Sequence, residues 1–421
     1  KSYTLSIVED PINANLLFLG TDDGLYISLD AGKKWIKWTA GFPTVSTKDL
    51  VIQPREHDLV IGTFGRAAWV LDDIRPLRAL ANGNVLNKKL QLFTPPTAYQ
   101  AAYQQPTGSR FGGDALFNGE NKKSGAMISY YINRIDTTEE KKVEKDTKRK
   151  NKRKRTKKTA TPETLKETVS AVKYDSIKLE IFEGSRLIRT LKQKAPKENG
   201  IHRMYWYMNE KGADRPSRKI RKRSFESGGV SVKPGIYNLK MHFGDQTSES
   251  TIKVEFDPRL EMSSKAITEI YNTSKDLEKD QQLMADIVKQ LVESKQTATT
   301  FKKDLTKEDK KKYKDQIKLS KEIITKIDKH IAAFIGKIDK RQGITRNPEV
   351  TVNRRYFSAR RYVGSRFGHL TSTEERLISQ FKKAFNDAVK KTNSFFETDW
   401  KTYKTTLETI RISPFKEIQK F

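Results

Sequence analysis

Arg66, Asp72, Asp73 and Arg75 offer the first candidates for chemistry, because they fall in one short stretch of the chain. Guanidinium groups clamp a carboxylate bidentately, and a nearby carboxyl group can carry a proton, so the set suits acid–base work on an acidic ligand. A local reading competes with it. Arg66 follows the turn residue Gly65 and would pair with a neighbouring carboxylate, while Asp72-Asp73 would close a strand that contains Trp69. The local reading is preferred, and no catalytic residue is assigned. The chain has no cysteine, which excludes disulfides, thiolate metal sites and cysteine nucleophiles. His57, His202, His242, His330 and His369 are scattered without ligand-like spacing, so neither a metal nor a cofactor is expected. No P-loop, G-x-S-x-G elbow or H-E-x-x-H occurs.

Charge suggests a different chemistry. Lys and Arg number 82 against 52 Asp and Glu, a net charge of +30. Such an excess attracts polyanions. It concentrates in three clusters: the 141–158 tract, where twelve of eighteen residues are Lys or Arg, the run from Arg215 to Arg223, and a third rich in aromatics. In the third, Arg354, Arg355, Arg360, Arg361 and Arg366 interleave with Tyr356, Phe357, Tyr362 and Phe367. Single-strand nucleic-acid binders combine cations and rings in this way. No nucleic-acid recognition motif accompanies the cluster, so nucleic acid is disfavoured and solvated helix or loop faces are the simpler reading. An acidic lipopolysaccharide or another polyanion would satisfy the same charge.

The elements around the first candidates are short strands. Ser28-x-Asp30-x-Gly32-x-x-Trp35 predicts a strand–turn–strand in which Asp30 accepts backbone N–H groups, Gly32 takes a positive φ and Trp35 pins the outgoing strand. Before it run Leu16 to Thr21, the turn Asp22-Asp23-Gly24 and Leu25-Tyr26-Ile27. The order returns in Leu50 to Pro54, Asp58 to Thr63, the turn Phe64-Gly65-Arg66 and Ala68 to Asp73. The two copies lie roughly 43 residues apart, a spacing typical of propeller blades.

The motif at Ser28 to Trp35 resembles the Asp-box, or BNR repeat, with Lys34 where Thr is usual. Residues 1 to 256 resemble the C-terminal part of Bacteroidetes-type sortilin-like, Asp-box β-propeller proteins, a group often labelled glycosyl hydrolase or exo-sialidase. The stretch Gly62 to Ile74 is similar to that group's last-blade signature, as is Leu92-Phe93-Thr94-Pro95 followed by Ala98-Tyr99. The resemblance implies the last blades of a propeller over 1–95. A propeller closes with about four or more blades, so the others are expected upstream of Lys1, in the same polypeptide or a separate chain.

Multidomain organisation, all-β followed by all-α, is the fold class expected, and the length predicts about three domains. After a linker at 96–124, alternating strands over 125–257 predict a β-sandwich. It resembles the immunoglobulin-like or fibronectin type III-like module of the same group. Its first two strands flank a basic insertion at 137–170, whose self-repulsion and lack of apolar periodicity predict disorder. From 262 to 421 the period becomes helical, and three stripes predict a long-helix antiparallel bundle. The first runs from Ile267 to Leu291 and the second from Tyr313 to Ile338. The third opens on a capping box of Ser372 and Glu375 and is expected to break near Asn393-Ser394.

No apolar run is long enough to span a membrane. The resemblance implies a secreted, periplasmic or cell-surface location. The function expected is therefore non-catalytic binding or scaffolding at the bacterial cell envelope, with a protein or glycan partner. A sialidase-like hydrolase with its active site in the upstream blades, and polyanion or nucleic-acid binding through the basic clusters, are the alternatives.

Overall fold

The computed structural model describes residues 2–101, 122–134, 174–220, 225–338 and 349–410. The 137–170 insertion lies outside the described residues, as do 221–224 of the second basic run. The chain divides into two compact units, Lys1–Met208 with Pro234–Pro258, and Asn209–Lys233 with Arg259–Phe421.

The first unit begins with two antiparallel meanders. Strands β1 (Thr4–Glu9), β2 (Leu17–Thr21), β3 (Gly24–Ser28) and β4 (Ile36–Trp38) pair in sequence order, and so do β5 (Thr47–Gln53), β6 (Asp58–Thr63) and β7 (Ala68–Leu71). Side chains alternate across a strand, so one register row from each sheet faces inward. Val8, Phe18 and Ile27 are cross-strand partners in the first sheet, and Leu50, Ile61 and Trp69 in the second. These rows join Leu77 of helix α1 (Arg75–Ala81) and its N-cap residue Ile74 in one core. The opposite row of the second sheet, Val51, Val60 and Val70, leaves Val51 54% and Val70 56% exposed.

Two further sheets complete the unit. They use β8 (Leu90–Leu92), β9 (Ala98–Gln100), β10 (Ala126–Ile132), β11 (Ser176–Glu183), β12 (Arg186–Lys194), β13 (Gly200–Trp206), β16 (Gly235–Phe243) and β17 (Gln246–Phe256). Their orders are β13-β10-β8 and β12-β11-β16-β17-β9. Every residue of the central β10 is buried, whereas β11 buries alternate residues, Ile177, Leu179 and Ile181. Trp206 is fully buried and meets Tyr237 edge-on at 5.5 Å. The stretch read as a linker at 96–124 thus opens with a strand, since β9 pairs in parallel with β17. Three residues carry too little alternation to announce a strand.

The second unit combines a two-stranded hairpin, β14 (Asn209–Lys211) and β15 (Gly228–Ser231), with the C-terminal helices. Helix α2 (Ser264–Asp309) is followed by α3 (Lys314–Ile335), α4 (Val352–Gly364), α5 (Ser372–Phe395), a π-turn (Phe396–Trp400) and α6 (Lys401–Glu408). Their core gathers Leu277, Met284, Val288, Leu291, Ile327, Phe334, Phe381 and Phe385.

Three expectations need adjustment here. The capping box is Thr371 with Glu374, one residue ahead of the pair read from sequence, because Thr371 holds the extended backbone of an N-cap. The second helix ends at Ile335, with Gly336 at φ +80, so Ile338 lies beyond it and is exposed. A further helix, α4, carries the aromatic-basic cluster, which lay between two of the expected stripes.

Candidate functional site

The Asp-box side chains are spent on their own turn. Ser28, wholly buried, donates its hydroxyl hydrogen to Asp30 Oδ1 at 2.9 Å and accepts from the Gly32 N–H at 2.9 Å. Asp30 Oδ1 accepts the Lys34 N–H at 2.8 Å. That backbone N–H is the main force holding the Asp30 carboxyl below the usual carboxylate range. Gly32 sits at φ +84, which a side chain would strain, and the Trp35 ring lies close to the position of a Cβ there.

Around the second meander Asp72, Asp73 and Arg75 are also engaged locally, whereas the exposed Arg66 side chain, expected to pair with a carboxylate, meets none among the described residues. Gly65 is at φ +90, and the Arg66 carbonyl accepts the Trp69 indole N–H at 3.0 Å. Trp69 packs edge-on against Phe42 at 5.5 Å. The Asp73 N–H donates to Asp58 Oδ1 at 2.8 Å, and its carboxylate holds Arg75 at 2.5 Å. Asp72 lies 3.7 Å from the Lys122 ammonium, and its carbonyl accepts from Arg203. A cleft of 410 Å³ beside α1 is lined by Arg75, Asn82, Asn84, Gln91, Phe93 and Thr94, but not by Arg66, Asp72 or Asp73. The four candidate residues do not converge on it.

A more buried constellation lies where two β-turns meet α1. Arg78 donates to both Asp10 oxygens, at 2.6 and 2.7 Å, and its third nitrogen meets His57 Nδ1 at 3.0 Å. Asp10 also accepts the Asn13 N–H, and Asn13 donates to the Arg78 carbonyl. Since a guanidinium only donates, His57 Nδ1 must accept, and the imidazole is neutral. Burial first, and then the Arg78 charge, hold His57 below its ordinary pKa. The arrangement ties the first meander to α1 and leaves no free acid or base. Sequence reading passed over it because Asp10 and Arg78 are far apart in the chain; the only local signal was Asp10-Pro11 at a turn.

The remaining histidines are separate. His202 meets the Glu198 carbonyl, His242 Glu180, His330 Thr392 and His369 Glu269. Among the described residues, no three potential metal ligands gather.

In the helical unit, the hairpin is clamped to α2. Glu210 is buried and accepts from the Tyr271 hydroxyl at 2.5 Å and from Lys275 at 3.2 Å; Lys275 also holds Glu278 at 2.7 Å. Gly229 permits this approach, because a Cβ there would come within 2.4 Å of Glu278 Oε1.

The aromatic-basic cluster divides by face. Val352, Tyr356, Ala359 and Val363 point inward at helical spacing, and Arg354, Phe357, Arg361 and Tyr362 are exposed. Arg355 and Arg360 are half-buried, with Arg355 reaching Gln380 at 3.4 Å, and Arg366 bonds the His369 carbonyl at 2.9 Å. Tyr356 is a core residue: burial pushes its hydroxyl up to about 12, and it donates to Gln281. Its ring is not available to stack on a ligand.

No family model matches the chain, and no curated protein matches it. Among solved structures it is similar to the extracellular domain of a one-component system from B. thetaiotaomicron, at 10% identity and a TM-score of 0.13. The similarity covers 61% of this chain and 25% of that one, so the chain spans about a quarter of that domain's length. At that TM-score the likeness carries no argument about fold, ligand or location. Among the described residues, no helix is long and apolar enough to cross a membrane.

Proposed function

We propose that the protein is a non-catalytic binding or scaffold protein of the bacterial cell envelope, with its two meanders serving as closing blades of an Asp-box β-propeller. The observation that carries this reading is that Ser28, Asp30, Asp72, Asp73 and Arg75 are committed to turns and to one another, with no shared cavity among them. The uncovered Val51-Val60-Val70 row fits the same reading, as a face for a further blade. The sheets that follow act as an immunoglobulin-like module, and the C-terminal helices as a bundle that widens the binding surface.

A panel of chromogenic sialosides and neutral glycosides tests the proposal. No hydrolysis is expected from the protein or from Arg66→Ala and Arg75→Ala variants. Turnover that disappears with either arginine would overturn it.

A further inference from the structure

The second and third basic clusters, far apart in sequence, meet on the helical unit. The Arg215 guanidinium carbon lies 5.8 Å from the centre of the Phe357 ring. Arg218 donates to the Gly336 carbonyl at the end of α3. Gln281 of α2 fixes both segments, since its amide donates to the Asp214 carbonyl at 3.0 Å and its oxygen accepts from Tyr356 of α4.

The result is one electropositive surface on which Arg215, Lys219, Arg354 and Arg361 are exposed. Arg354 and Arg361 stand two turns apart, about 10 Å along the helix. The nearby α2 carboxylates are already engaged: Glu278 holds Lys275, and Asp280 faces Lys382 at 4.0 Å. Among the described residues, no carboxylate pairs with Arg215, Arg354 or Arg361.

We infer that this surface binds a linear carboxylated polysaccharide. Unpaired guanidinium groups present the planar fork that matches a carboxylate, and a row of them along α4 matches a chain with an acid at regular intervals. Single-stranded nucleic acid requires successive free rings for its bases. Here Tyr356 is inside the core and the Phe357 ring, 37% exposed, already carries the Arg215 guanidinium, which leaves Tyr362 and Phe367 as the open rings. Tyr362, half-exposed at the end of the row, offers one flat apolar face, enough for the C–H face of a sugar. The surface lies wholly in the helical unit and stands apart from the propeller reading.

The test uses the full chain with fluorescently labelled alginate, with dextran and an oligo-dT strand as comparisons. Alginate binding should weaken steeply with salt, and dextran should not bind. The R354Q/R361Q variant should lose about tenfold or more in affinity with its melting temperature unchanged, as exposed charge-assisted contacts are removed. R354K/R361K should fall between the two, because charge remains and the fork is lost. K148Q/R149Q, with the same charge removed from the first tract, should bind like the parent. Three results would each overturn the inference: an equal loss in K148Q/R149Q, preference for oligo-dT that depends on Arg354 and Arg361, or no alginate binding by the parent protein.

Discussion

Gln281 and Tyr356 satisfy one another inside the helical unit, the tyrosine hydroxyl donating to the amide oxygen while the amide nitrogen reaches the Asp214 carbonyl. Gln281 is 5% exposed and Tyr356 1%, so neither can turn to water if its partner is lost. This pair fixes the relation between the hairpin loop and the arginine-bearing helix.

Removing one partner should therefore cost more than removing both. Gln281→Leu leaves the buried Tyr356 hydroxyl without its partner, and Tyr356→Phe does the same to the Gln281 amide oxygen, each at about 1–3 kcal/mol. The double variant should be more stable than the sum of the two losses implies, as urea unfolding of all four proteins would show. Strict additivity would mean that the two groups are not coupled.

Ser28→Ala should destabilise the first unit by about 1–2 kcal/mol, because the Gly32 N–H loses its buried acceptor. Alginate binding should be untouched. A thermal melt recorded beside a binding isotherm separates these effects, and a binding defect at constant stability would contradict the structural role of the Asp-box.

Cutting the Arg78 clasp on one side should be among the most damaging single changes in the first unit. Asp10→Asn or Arg78→Met leaves a buried charge without its counterpart, worth about 3–5 kcal/mol. Replacing both with apolar groups of similar shape should recover much of that loss, which equilibrium unfolding can resolve.

Acid should weaken the fold through His57 and His330, both held below the usual histidine value of 6.5, chiefly by burial. A lowered folded-state pKa means that the unfolded chain takes up the proton first. The stability is fully present above 6.5 and is lost as pH falls through the folded values. His57→Asn should flatten part of this slope, since Asn tolerates the residue's φ of +61 and its amide oxygen can still accept from Arg78. Melting temperatures between about pH 5 and 8, the range in which histidine titrates, would check it. An unchanged slope would assign the effect to His330 or elsewhere.

The meanders were readable because their information is local. Leu16 to Thr21 and Leu25 to Ile27 are short apolar runs separated by the turn Asp22-Asp23-Gly24, and Gly32 marks a positive φ wherever the rest of the chain lies. Helix α4 was hidden for the opposite reason. Its inward residues Val352, Tyr356, Ala359 and Val363 are few, and arginines at 354, 355, 360 and 361 interrupt the apolar stripe. Tyr356 stands among the arginines in sequence, and its spacing from Val352 and Ala359 places it in the core. Neither the Asp10–Arg78 pair nor the meeting of Arg215 with Phe357 has a local signature, since each joins residues brought together only by folding.

The chain passes between its two units at Met208, at Lys233 and again at Pro258. A gene segment starting at residue 259 would encode Tyr271 and Lys275 without Glu210, and Gln281 without the Asp214 carbonyl. The helical unit is therefore poorly portable: recombination that moved it as one contiguous block would leave behind the hairpin that completes it. Descent should keep residues 209–233 and the helices together, so a change in one is expected to be inherited with a compensating change in the other.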